Sequence, residues 1–526
     1  MQFIISATFA VISLVGVASP CPRVCNCTDT EQGVIVDCSN QGLSSIPANI
    51  PTNAVILDLS CNWIPNISYT FNNLPALKQL YFFNNEISFI EEHVFNNLSA
   101  LQILDLSNNI ISEIKGGAFN NLPVLVILDL SNNMISEIKG GTFNNLPVLV
   151  RIYLPHNMIS EIKIGAFNNL PAINNIDLSY NKISLIDENT FKNVPAVEYI
   201  DLSSNEISEI VMGSFDNVPS LVSLYLSFNL ISQLLYPFNN LQFLDTLYIS
   251  NNEISLIGNN TFNNLPALRN LDLSNNEISN IFYTLNNLPA LQHLYLSRNQ
   301  ISNLLYPFNN LPALKNLYLM DNNIKKVEAW FFSGIPNISI LYMNNNNISF
   351  VSSQTFQNLS QLTVLQFTMV CGCNSNIPFW QWLKVSKKFP LSIDCYDYPG
   401  IFLEKLEQGD FHKCNETRST PNKTKSRTTA TPTSRTNITT TSADRITRKK
   451  LEATAFAPRT VIGIAIGAGS LAGGILLFCV IWRLWRRSND KNAKFEQQQD
   501  KINSMIPAIP PTTFPQRPTK KPQYII

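Results

Sequence analysis

Charge is scarce in this chain: Asp, Glu, Lys and Arg make up only 14% of its 526 residues, against ~25% in an average soluble domain. Histidine is scarcer still, with four (His93, His156, His293, His412) scattered without metal-ligand spacing. There is no Gly-rich phosphate loop after a strand, no G-x-S-x-G and no H-E-x-x-H. Those gaps leave nucleotide, serine-hydrolase and zinc-protease chemistry without a motif. The expectation is a protein that is not an enzyme and takes no cofactor or metal. The few charges are unevenly placed: 18 basic against 31 acidic residues up to position 414, then 10 against 3 over 415–459 and 9 against 3 over 483–526. An acidic body gives no electrostatic grip on nucleic acid.

Long apolar runs are equally few. Residues 1–18 contain "FIISATFAVISLVGVA" and end in small side chains, as a secretory signal does. Residues 461–482, "VIGIAIGAGSLAGGILLFCVIW", are uncharged and long enough to cross a ~30 Å hydrocarbon core. Arg483, Arg486 and Arg487 follow at once, while Arg448, Lys449, Lys450 and Arg459 precede it. The signal segment sets the orientation: N-terminus outside, a single pass, a short cytoplasmic tail, hence a type I protein of the plasma membrane.

What fills the space between is repetition. The unit L-x-x-L-x-L-x-x-N-x-I-S-x-I-x-x-x-x-F-N-N-L-P-x-L recurs thirteen times, its Asn at Asn62, Asn85, Asn109, Asn133, Asn157, Asn181, Asn205, Asn229, Asn252, Asn276, Asn299, Asn322 and Asn346, in steps of 23 or 24. This is the leucine-rich-repeat pattern. In L-x-L the two leucines point to one side of a short strand and the middle residue to the other. One such strand buries nothing alone, so neighbours must stack in parallel ~4.8 Å apart, and thirteen would line an arc on the order of 60 Å. The Asn amide, donor and acceptor at once, is suited to backbone groups that turn inward after each strand. Phe71, Phe95, Phe119, Phe143, Phe167, Phe191, Phe215, Phe238, Phe262, Phe308, Phe332 and Phe356, with Leu285 as a substitute, form a second column toward the outer side. The fold class expected is an α/β-type solenoid: a curved horseshoe with a parallel β-sheet on its concave face over residues 53–370, capped ends and one transmembrane helix.

An open solenoid exposes core at both ends and needs caps. Cys21, Cys25, Cys27 and Cys38 precede the first repeat, within a cap at 19–52; Cys371, Cys373, Cys395 and Cys414 follow the last, within a cap at 371–414. Four and four in a secreted context read as disulfides; a zinc site would find only His412 nearby to join them. With both caps, the repeats and the span, residues 21–414 resemble the animal extracellular leucine-rich-repeat receptors. The resemblance implies first-to-third and second-to-fourth pairing: Cys21–Cys27, Cys25–Cys38, Cys371–Cys395 and Cys373–Cys414. "FTMVCGC" replaces the family's Asn-Pro before the second cap. Two cysteines remain. Cys61 reads either as an intermolecular link or as a partly shielded free thiol, and Cys479 as a palmitoylation site or an ordinary membrane cysteine.

Residues 415–460 are Ser/Thr-rich with Pro, a composition that forms no core and suits an O-glycosylated stalk. N-x-S/T acceptors stand at Asn26, Asn66, Asn97, Asn259, Asn337, Asn347, Asn358, Asn415, Asn422 and Asn437; most of those in the repeats are expected off the strands. Gly463, Gly467, Ser470 and Gly474 share one arc of the span, which suits a homodimer through the membrane helix. The tail, 483–526, offers linear motifs: Pro515, Pro518 and Lys520 for an SH3 adaptor, Tyr524 and Ile526 for a PDZ adaptor.

The residue inside each L-x-L faces the concave side: Asp58, Tyr81, Asp105, Asp129, Tyr153, Asp177, Asp201, Tyr225, Tyr248, Asp272, Tyr295, Tyr318 and Tyr342. Asp and Tyr are both family defaults there. Departures in neighbouring columns say more: Arg151, Pro155, His156, Tyr180, Tyr199 and Phe228. With Tyr153, Tyr225 and Tyr248 they form the expected ligand-binding patch, because rigidly held aromatic and Arg side chains dominate interface energies. Neighbouring Asp favour a ligand with basic groups; a calcium site is excluded by the lack of a wrapping loop. The function expected is a cell-surface receptor for an extracellular protein ligand, in innate immune recognition. The alternative is a cell-adhesion or matrix-contact protein of the neural type, and a third reading is a soluble binder shed at "RITRKK".

Overall fold

The computed structural model describes residues 21–412, apart from 68–70, 72, 236–237, 239–240, 260, 282–284, 303, 305–307, 309 and 387–390. The signal segment, the stalk, the span and the tail lie outside the described residues. With them lie Cys414, Cys479, Asn415, Asn422, Asn437, the membrane-helix glycines and the tail motifs. Among the described residues no helix is long and apolar enough to cross a membrane.

Short parallel strands, one per repeat, build a 17-stranded sheet. It begins with the hairpin Asn26–Thr30 and Gly33–Asp37, the latter pairing in parallel with Ala54–Asp58. From there the repeat strands pair one with the next in strict register as far as Ile340–Ile348, as Ile127–Asp129 does with Arg151–Tyr153, and that strand with Asn175–Asp177. The last repeat strand, Ile340–Ile348, passes the sheet to Val364–Met369 and then to Leu391–Cys395. Each strand has three to nine residues because the pattern permits no more: its central apolar residue is fully buried, and the residues on either side are half-buried or exposed.

The buried Asn accounts for the turn that follows. Asn157 donates to the carbonyls of Leu130 (3.0 Å) and Leu154 (3.1 Å), and its Oδ1 accepts from the Ile135 amide (3.0 Å). Asn181 repeats this on Leu154, Leu178 and Ile159. Each amide satisfies backbone groups of its own repeat and the one before, so consecutive repeats are stitched by a column of side chains.

On the opposite side the Phe column is buried, with near-parallel rings 5.8–6.2 Å apart from Phe95 to Phe215. Strand spacing in a sheet is ~4.8 Å. A stack wider per step at its Phe side than at its sheet bends toward the sheet, which makes the sheet concave.

Two expectations need correction. The α/β label does not hold, because the only α-helix among the described residues is Ile377–Ser386, beyond the repeats. Between strands the chain runs through turns and two-residue strands such as Glu137–Ile138 and Glu161–Ile162. The cause is local: a 24-residue step ending in Asn-Leu-Pro leaves no room for a helix, and its second Asn turns left-handed (Asn121 φ 63°, Asn145 φ 62°). The second concerns Cys61, which is disulfide-bonded and not a free thiol. Counting cysteines along the sequence could not show this, since a disulfide depends on proximity in space.

Disulfides join Cys21 to Cys27, Cys25 to Cys38 and Cys371 to Cys395; Cys373 is also disulfide-bonded. Without the family's Asn-Pro, the second cap docks through residues the repeat pattern did not single out. Asn376 extends the Asn column by one place, donating to Ser349 (3.0 Å) and Val370 (2.9 Å) carbonyls. Asp397 accepts from the amides of Cys371 (2.8 Å) and Gly372 (2.7 Å).

Candidate ligand-binding surface

The strands carry the first set of expected contact residues. Arg151 is exposed and Tyr153 half-buried on Arg151–Tyr153, flanking buried Ile152. Tyr199, Tyr225 and Tyr248 lie on three consecutive strands. Their rings meet, Tyr199 to Tyr225 at 5.1 Å and Tyr225 to Tyr248 edge-on at 5.4 Å. The Tyr199 hydroxyl donates to Asp201 Oδ2 at 3.2 Å. Burial and the adjacent carboxylate of Asp201 push the Tyr199 phenol well up, and burial and Tyr225 push Tyr248 the same way. Both stay neutral hydroxyls, able to donate and accept.

The second set stands elsewhere. His156, Tyr180 and Phe228 are not on strands; they occupy the turn just beyond, with φ of 55°, 55° and 61°. Six of the thirteen repeats place Asn at this left-handed step (Asn84, Asn108, Asn132, Asn251, Asn275 and Asn345), and four others place Cys61, Ser204, Arg298 and Asp321 there. Asn tolerates that conformation well, whereas a bulky side chain there costs on the order of 1 kcal/mol. His156 stacks on Tyr180 at 4.2 Å, and both are exposed. The expected single patch is therefore two groups: a tyrosine run on the sheet and an aromatic rim along its edge.

Sequence reasoning passed over a third group. Tyr295, Tyr318 and Tyr342 stack at 4.7 and 5.5 Å on neighbouring strands, beside a hydrogen-bonded His293–Asn316 pair (2.9 Å). Their sequence signal was the same Tyr within L-x-L, read as a family default.

Toward the N-terminal half the surface becomes acidic. Asp105 and Asp129 are register partners on adjacent strands, as are Asp177 and Asp201. Asp105 accepts from Ser107 through both the backbone amide (2.9 Å) and the hydroxyl (2.6 Å). Even so, burial and the facing Asp129 push its carboxyl up to about 7, and burial raises Asp129 and Asp177 too. Like charges placed directly opposite disfavour double ionisation.

Acceptor asparagines Asn66, Asn97, Asn259, Asn337 and Asn358 are exposed and off the strands, while Asn347 lies within Ile340–Ile348.

A parallel sheet of one strand per 23 or 24 residues, a buried Asn column and a stacked Phe column is the geometry of one family. The leucine rich repeat model matches residues 52–111, 99–159, 149–205, 171–231, 238–304 and 312–368. The chain is a leucine-rich repeat protein. Leucine-rich repeat-containing protein 3 of Rattus norvegicus is 36% identical over 83 residues, 16% of this chain and 32% of that protein. The immunoglobulin superfamily containing leucine-rich repeat protein of Homo sapiens is 35% identical over 74 residues, 14% of this chain and 17% of that protein. The chain thus spans about a third or less of the length of these relatives. Among solved structures, the Toll–Spatzle complex of Drosophila superposes with a TM-score of 0.58 at 20% identity, over 68% of this chain and 52% of the other. A leucine-rich repeat protein of Leptospira interrogans gives 0.53 at 20% identity, over 65% and 84%. At such identities the likeness is one of fold. This leucine-rich repeat fold is suited to binding proteins, and its disulfide caps mark an extracellular or secreted domain.

Proposed function

We propose that this leucine-rich repeat protein is a single-pass cell-surface receptor that grips a protein ligand with its concave sheet and rim, in innate immune recognition, and acts by binding rather than catalysis. The observation that carries this reading is the cost accepted at the rim. His156, Tyr180 and Phe228 hold a left-handed conformation that six other repeats give to Asn, and Phe228 follows three residues after Tyr225 of the Tyr199–Tyr225–Tyr248 run. His156 and Tyr180 are exposed and Phe228 is half-buried; covered by a partner, rigidly held aromatics are among the residue types that dominate binding energy. The Asp-bearing strands next to them favour a ligand with basic groups. Toll, similar in fold, is seen in complex with Spatzle, which supports a protein as the ligand class. Membrane attachment rests on the apolar run at 461–482.

The test is a screen of the secreted domain against extracellular proteins, followed by Tyr225→Ala and Phe228→Ala on any binder found. Each substitution should weaken binding by more than ~2 kcal/mol. A ligand indifferent to both would refute the site. Cell–cell aggregation without ligand-triggered signalling would favour the adhesion alternative.

A further inference from the structure

A second surface lies away from the concave sheet. A groove of about 1290 Å³ runs along the turns that lead into the strands, from Asn96 to Pro219. One wall repeats: Asn121, Asn145, Asn169, Asn193 and Asn217, each followed two residues later by a proline of the same groove. These asparagines are exposed. Those of the repeat column, by contrast, are buried and engaged. No hydrogen bond reaches the side chains of Asn121, Asn145, Asn169 or Asn193 among the described residues.

Three features restrict what such a groove can hold. It is uncharged apart from Asp216, so neither a polyanion nor a basic segment gains from it. Its polar groups are amides, each a donor and an acceptor, hence complementary to one another. They also recur at a fixed step, close to the 5.8–6.2 Å of the Phe rings in the same repeats. A row of self-complementary groups is matched along its whole length by a row of the same step running the other way.

Glycan placement agrees. No N-x-S/T acceptor occurs between Asn97 and Asn259. At Asn97 the repeat's proline is replaced by Ser99, giving Asn-Leu-Ser; in the next five repeats proline at that position forbids an acceptor. That acceptor stands at the groove's first end, where Asn96 and Ser99 line it, and the rest of the groove carries none.

We infer that the Asn–Pro groove is a self-association surface whose occupant is a second copy of this chain, packed antiparallel about a two-fold axis beside Asn169. Asn169 is the middle of the five, so the axis sets Asn169 against Asn169, Asn145 against Asn193 and Asn121 against Asn217. Such an interface is isologous, the commonest kind in homodimers. The axis runs from the outer side toward the sheet, so both concave faces open the same way and remain free. This association is independent of the ligand proposed above and of any contact through the membrane helix.

Cysteine cross-linking of the full chain at the cell surface tests it. Asn169→Cys should give a reductant-sensitive dimer on its own, and Asn287→Cys, the same position in a repeat outside the groove, should not. Asn121→Cys and Asn217→Cys should each fail alone and cross-link when co-expressed. Adding Pro171→Thr to that pair creates an N-x-T acceptor at Asn169, and the glycan it carries should abolish the band; Pro289→Thr, placing a glycan at Asn287, should leave it. Surface levels, matched before comparison, report folding. The inference is overturned if Asn169→Cys cross-links no more than Asn287→Cys, or if the co-expressed pair survives the glycan at Asn169.

Discussion

Replacing Asn157 with Ala probes the column that stitches the repeats. The side chain makes four hydrogen bonds: donated to the Leu130 and Leu154 carbonyls and, at 3.5 Å, to that of Pro155, which also accepts from the Asn132 amide, and accepted from the Ile135 amide. The losses are unequal. The Leu130 carbonyl keeps a bond from Asn133, and that of Leu154 keeps one from Asn181. Only the Ile135 amide loses the acceptor it has here. An orphaned buried N–H costs about 1–3 kcal/mol, and each lost bond to a carbonyl that keeps another about 1 kcal/mol. The expected cost is roughly 3–5 kcal/mol. Asn157 and Asn181 share the Leu154 carbonyl, so removing both leaves it with neither. The double variant should exceed the sum of the singles by about 1–2 kcal/mol. The pair Asn85→Ala and Asn276→Ala, with no shared carbonyl, should be additive. Urea unfolding followed by far-UV circular dichroism gives these values from midpoints and slopes. A single cost below about 0.5 kcal/mol, or additivity within error for the adjacent pair, would refute the stitching account.

Phe191 lies between Phe167 (6.2 Å) and Phe215 (6.0 Å) in the buried column; Phe191→Ala should lower stability by about 3–5 kcal/mol, and a loss under ~1 kcal/mol in the same assay would mean the column is not a tight core. Because the Asp105 carboxyl sits at about 7 in the folded chain and ~3.9 in an unfolded one, its protonated form favours folding. That contribution is complete below pH ~4 and is lost as pH rises through about 7. Melting temperatures should therefore fall between pH 5 and 8 less steeply in Asp105→Asn than in the natural chain, and parallel profiles would contradict the shift. Cys25→Ser opens the 13-residue Cys25–Cys38 link and should cost about 2–4 kcal/mol, read as a lowered urea midpoint; an unchanged midpoint would show that the cap does not stabilise the first repeat.

The sequence alone determined the repeat, its step, the L-x-L strand, the buried Asn and Phe columns and the two cysteine clusters, because each is a local periodicity that every copy restates. Even the direction of curvature was implicit in large rings on one side and strands on the other. What needed the tertiary structure was anything decided between copies or at their ends. Backbone φ separated Tyr225 on the strand from Phe228 on the rim, since identical spacing cannot tell a strand from the turn after it. Facing registers turned Asp105 and Asp129 from family defaults into a pair that resists losing both protons. Distance brought Tyr295, Tyr318 and Tyr342 into one stack. Asn376 and Asp397, outside the period, proved to close the final repeat. A pattern along the chain records what each turn needs of its neighbour; where a side chain points, and what it meets there, is set only when the turns are stacked.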